Sequence, residues 1–250
     1  MTTACVPDFL PSSRGLRFSN HFPTGIAVTT INLPGLGRSI PVGDASNGVC
    51  GGMVYAVMDL FLAAPRLPVP PDTVPPAAGS DLTTYVTARL VDSFALSRGL
   101  SSNVARYLSL MSTPDRDAWF VHGVGSVLAG REWPKIKADI DAGRLSPLGL
   151  VGGERVWPTD VGGKVRMLGH CHQVLAYGYD LDDDGRLTLR VYDPNDPGAD
   201  DSTIETSLAD PADGCTVTTP RITAHISGNG TFRAFFRHDY YTRKTPPVAA

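Results

Sequence analysis

Three residues far apart in a chain of 250 have the side chains that acyl transfer needs: Cys50, His172 and Asp193. Cys50 follows Ser46-Asn47-Gly48-Val49 and falls near the start of a predicted buried helix whose apolar run is Val54 to Leu62. A thiol at a helix start sees the positive end of the macrodipole and unbonded N–H groups, and both stabilise the nucleophilic thiolate. The same N–H groups, that of Cys50 included, can receive an oxyanion. His172 and Asp193 stand on either side of Asp180-Leu181-Asp182-Asp183-Asp184-Gly185, a cluster that makes turns. A hairpin centred between Asp182 and Asp183 sets His172 opposite Asp193, where Cβ atoms lie about 4.5–5.5 Å apart and a carboxylate can orient an imidazole. The same register pairs His170 with Asn195 on the same face, so two His–acceptor pairs stand open. A slip of one residue would turn Asp193 to the other face. A cysteine at a helix start with a His–Asp pair on a distant hairpin supplies nucleophile, base and orienter.

Metal readings of the same residues are weaker. His170 and His172 share a strand face and, with Cys50 or Asp193, would begin a zinc set, but no fourth ligand is compelling. The run from Asp180 to Gly185 starts like a calcium loop, yet the twelfth position, where a bidentate Glu is needed, is Val191. No metal and no cofactor is therefore expected.

The positioning elements are legible in outline. Gly25–Ile31 predicts a strand, residues 50–62 a helix ending before Pro65, and the Pro-rich stretch 65–80 a loop. Helices are expected over Asp81–Leu96, Ser101–Met111, Asp115–Ala129 and Glu132–Ala142, the last stopped by Gly143. Beyond it, Leu148–Val151, Gln173–Tyr179, Arg186–Tyr192, Thr216–Ile226 and Thr231–Tyr241 predict strands. Helices first and strands afterwards predict an α+β fold.

In Asn47-Gly48-Val49-Cys50-Gly51-Gly52-Met53, in residues 135–151, and in His172 to Tyr179 followed by Val191-Tyr192-Asp193-Pro194, the chain resembles the papain-like cysteine peptidases, in particular the bacterial branch that processes double-glycine leader peptides. The resemblance implies a single papain-like domain over residues 1–250. A helical N-terminal half would pack on a twisted antiparallel sheet from the C-terminal half, with the cleft between them. It selects His172 as base and Asp193 as orienter. That family carries a Gln six residues before the nucleophile; here the position is Asp44, a poor oxyanion donor when ionised. Asn47 is the amide nearest in sequence that would replace it.

Composition narrows the function class. Charged residues make up 19% and the net charge is -3, which gives no reason to expect nucleic acid as a partner. No apolar run approaches a membrane span and no secretory leader is visible, so no membrane association and a cytoplasmic location are expected, although an unusual export route would leave no trace. Four cysteines without C-x-x-C spacing make no disulfide framework, which leaves Cys5, Cys171 and Cys215 as bystanders. Trp119, Trp133 and Trp157 are expected to pack. The expected activity is cysteine-dependent hydrolysis of a peptide or amide through a thioester. Transfer to an amine, as in transglutaminase-like enzymes, and an inactive binding protein are the alternatives.

Overall fold

The computed structural model describes residues 1–22, 29–32, 39–42, 48–64, 69–220 and 230–247. Strand β1 (Thr2–Cys5) and a single helical turn, α1 (Pro11–Arg14), precede a two-stranded ribbon of β2 (Thr29–Asn32) and β3 (Ser39–Val42). The predicted Gly25–Ile31 strand meets β2 at its end, and residues 25–28 lie outside the described residues. The apolar run after Cys50 forms α2 (Cys50–Ala63), in which every residue from Gly51 to Leu60 is buried. Helices α3 (Asp81–Ser93) and α4 (Asn103–Ser112) start at serine caps: Ser80 Oγ accepts from the Thr83 N–H at 3.2 Å, and Ser102 Oγ from the Ala105 N–H at 3.2 Å.

The helix expected over Asp115–Ala129 is largely absent. The chain instead reverses at Ala118–Val121, with Trp119 at φ +50° and both Trp119 and Phe120 almost fully exposed. Helix α5 (Val124–Val127) then passes through a π-helical turn into α6 (Trp133–Asp141). Of the three tryptophans expected to pack, Trp133 is buried, whereas Trp119 and Trp157 are exposed.

Strand β4 (Ser146–Gly152) is followed by α7 (Val161–Leu168), so helices are not confined to the first half. Then come β5 (His172–Leu181), β6 (Arg186–Tyr192), β7 (Thr203–Ser207), β8 (Val217–Thr218) and β9 (Thr231–Arg237). Residues 221–226 of the predicted Thr216–Ile226 strand lie outside the described residues.

The papain-like arrangement with an open twisted sheet is overturned by the strand pairing. All pairs are antiparallel, and the order β4–β5–β6–β7–β8–β9 returns from β9 to β4, which closes a six-stranded barrel. β1 lies outside the ring. β6 occupies one edge of β5, while β4 pairs with residues 172–176 of the other edge and β1 with residues 178–181. Alternation of buried and open positions is clear in β6, where Leu187, Leu189 and Val191 are buried and Arg186 is exposed. It vanishes in β4, every residue of which is buried, and across His172–Tyr179 of β5. These strands form the wall against which α2, α4 and α6 pack, so both of their faces are covered. A period of two encodes the faces of a strand but not the tilt and stagger that close a barrel.

Candidate active site

Cys50 is the first residue of α2, and the preceding Val49 offers no side-chain cap. The Gly52 and Met53 N–H groups turn back onto the Val49 carbonyl at 2.8 and 3.0 Å. The N–H groups of Cys50 and Gly51 come too early for an intrahelical acceptor. Gly48 reaches this start through φ +93°, which favours glycine. Two further glycines set how close the helix start lies to its neighbours. A Cβ on Gly51 would overlap the Gln173 carboxamide and Ser93 Oγ, and one on Gly52 would overlap the Val86 carbonyl oxygen of α3.

His172 opens β5 and is fully buried. Its Nε2–H donates to Asp193 Oδ1 at 2.7 Å, and Asp193 is fully buried one residue beyond β6. The same carboxylate oxygen accepts the Asn195 N–H at 2.9 Å. The His172 carbonyl accepts from the buried Tyr107 hydroxyl at 3.0 Å, which fixes the backbone that carries the ring. Burial alone would lower the imidazole pKa. The charge and hydrogen bond of Asp193 oppose this, the Cys50 thiol adds to them, and the group is pushed up to about 10. With Nε2–H committed to Asp193, the other ring nitrogen is the one available to the thiol. Nδ1 is buried and has no hydrogen-bond partner among the described residues. The contact with Cys50 is thus looser than the one with Asp193.

His172 and Asp193 meet by a different register from the expected one. The observed pairing sets Leu175 opposite Tyr192, so Asp193 stands opposite Val174 and reaches His172 diagonally on the same face. Nearer the turn the pairing sets Gly178 opposite Arg190, one residue out of step, because Tyr177 is an extra residue on β5. If the turn-side register ran on past Gly178 without a bulge, Asp193 would stand opposite Leu175 and face the opposite wall.

The other predicted positions divide. Asn47 and Asp44 lie outside the described residues. His170 is exposed in the turn before β5 and does not share the buried face of His172. Asn195 holds Asp193 through its backbone, while its side-chain Oδ1 accepts from Asn20 Nδ2 at 3.2 Å. The acidic run serves the hairpin: Asp182 Oδ1 accepts the N–H groups of Asp184 and Arg186 at 3.0 and 2.8 Å, and Gly185 turns at φ +80°. Cys171 is pushed up to about 12, first by burial, which suits a structural thiol. Among the described residues, no group of three His, Cys, Asp or Glu side chains gathers as a metal site, and no helix is long and apolar enough to cross a membrane. Two buried residues at the site, Asn20 and Tyr107, carry no signal in the sequence, because only the fold brings them to it. No family model, curated protein or solved structure matches the chain.

Proposed function

We propose that the chain is a cysteine-dependent acyl-transfer enzyme that hydrolyses a peptide or another amide. The observation that supports this is the buried His172–Asp193 pair, which adjoins a thiol at the start of a helix. His172 takes the Cys50 thiol proton at Nδ1. The thiolate attacks the substrate carbonyl carbon, and the oxyanion that forms is received by the Cys50 N–H at the positive end of α2. Collapse breaks the C–N bond, the amine leaves with the proton from the imidazolium, and a thioester remains on Cys50. Water then attacks the thioester while His172 accepts its proton, which releases a carboxylic acid and restores the thiol. Asp193 keeps the ring oriented and stabilises its charged form.

Iodoacetamide labelling across pH, with the modified cysteine mapped, tests this proposal. Cys50 is expected to react selectively below pH 7, and His172→Ala is expected to abolish that reactivity. Cys5 is exposed and provides an internal reference thiol. Alkylation of Cys50 no faster than Cys5 would sink the proposal.

A further inference from the structure

Asn20 touches the surroundings of both halves of the site, although it belongs to neither the helix nor the barrel. It lies in the segment 15–22, which is anchored by buried Leu16, Phe18 and Phe22, the two phenylalanine rings meeting edge to face at 5.9 Å. Asn20 is itself only 6% exposed. Its backbone N–H donates to the Pro194 carbonyl at 2.9 Å. Its side-chain Oδ1 accepts the Val49 N–H at 2.5 Å, and its Nδ2 donates to Asn195 Oδ1 at 3.2 Å. Val49 directly precedes Cys50, and Pro194 and Asn195 directly follow Asp193. All three contacts therefore fall on residues beside a member of the site. The Asn195 N–H in turn holds Asp193 Oδ1.

We infer that Asn20 is a positioning residue that fixes the separation between Cys50 and the His172–Asp193 pair by clamping the start of α2 to the turn after β6. This rests on the acyl-transfer proposal. The position calls for a short, neutral side chain that carries an acceptor and a donor at one end, and asparagine meets that requirement. Hydrophobic residues at this point would leave the Val49 N–H buried without a partner, and would free the Asn195 side chain.

The test measures the rate of Cys50 alkylation by iodoacetamide from pH 5 to 10 in the unmodified chain, Asn20→Ala and Asn195→Ala, with thermal melting followed in parallel. Asn20→Ala is expected to slow the reaction at low pH by about ten- to a hundredfold, the range that a misplacement of about 1 Å produces. It should also move the acid limb of the profile towards that of a free thiol. Asn195→Ala cuts only the side-chain arm and is expected to shift the profile part of the way. The titratable neighbours Cys171, Tyr107 and Tyr192 are the same in all three proteins. An Asn20→Ala profile that overlays the unmodified one, with only the melting temperature lowered, would reduce Asn20 to a loop anchor and overturn the inference. Should Asn20→Ala fail to fold, an unshifted Asn195→Ala profile overturns it instead. If the unmodified chain shows no enhanced reactivity at low pH, the acyl-transfer proposal itself fails and this one falls with it. That outcome is visible before either variant is compared.

Discussion

Two buried histidines in this chain are driven in opposite directions by their neighbours. His172 is raised because Asp193 and Cys50 outweigh its burial, whereas His238 is pushed down to about 3 by burial first and the Arg106 charge next. An unfolded histidine takes up its proton near pH 6.5. For His238 the unfolded chain therefore binds more protons between about pH 6.5 and 3, and stability falls as pH drops through that window, with a slope approaching ~1.4 kcal/mol per pH unit. His238 packs beside Phe236 and Tyr55, at ring separations of 5.4 and 6.0 Å, so His238→Phe is expected to keep the packing and flatten the acid limb. Urea midpoints measured from pH 4 to 7 would show this. The contribution of His172 has the other sign: it is complete below about pH 6.5 and is lost as pH rises towards 10. Asp193→Asn removes the charge that holds this imidazole up and is expected to lower Cys50 alkylation at pH 6 by tenfold or more. Cys50, His172 and Asp193 were legible because each stands in a local pattern, a helix start or a hairpin flank. Asn20 was not, because its partners lie 29 and 175 residues away along the chain.

Two adjacent glycines show how differently neighbouring positions constrain a helix. The atoms that a Gly51 Cβ would meet are side-chain tips, Gln173 and Ser93, which can move; those at Gly52 are the α3 backbone at Val86, which cannot. Gly52→Ala is expected to destabilise the fold by about 1–3 kcal/mol, read from the urea midpoint, as overpacking does elsewhere. Gly51→Ala is expected to fold but to slow Cys50 alkylation, because the displaced Gln173 adjoins His172. Elements with strong local signals match the sequence reading closely: α2, α6, β5 and β6 begin or end within a residue or two of their predicted bounds. Helix α7 and strands β1 and β7 were not legible. α7 carries two glycines, Gly162 and Gly163, that weaken its pattern, and β1 is defined by its pairing with β5. The expected Asp115–Ala129 helix failed because its first half turns back on itself at Ala118–Val121.

At the scale of the molecule, one buried carboxylate ties α2, α3 and the segment that follows β9 together. Asp59 of α2 binds Arg89 of α3 at 2.7 Å, accepts from the hydroxyls of Tyr85 and Tyr241 at 2.7 and 2.6 Å, and takes the Lys244 N–H at 2.9 Å. Both members of the ion pair are almost wholly buried. Asp59→Ala leaves the Arg89 charge short of its main partner and is expected to cost about 3–5 kcal/mol in urea unfolding, a large share of an ordinary domain's stability. Closure of the barrel was beyond the sequence, since β4 must pair with both β5 and the distant β9. The extra residue at Tyr177 carries a consequence for how this chain can vary. Faces alternate along the strands, so a one-residue slip of β6 against His172–Ala176 sends the carboxylate to the wrong side of the wall, whereas loss of the extra residue itself keeps Ala176 opposite Val191 and the carboxylate where it is. One residue taken up as a bulge on the turn side of Ala176, or any change confined to the Asp182–Gly185 turn that keeps the strands in register, leaves it in place. Functional variants of this hairpin should therefore differ freely in loop length and in the bulge on the turn side of Ala176, but keep Leu175 and Ala176 opposite Tyr192 and Val191.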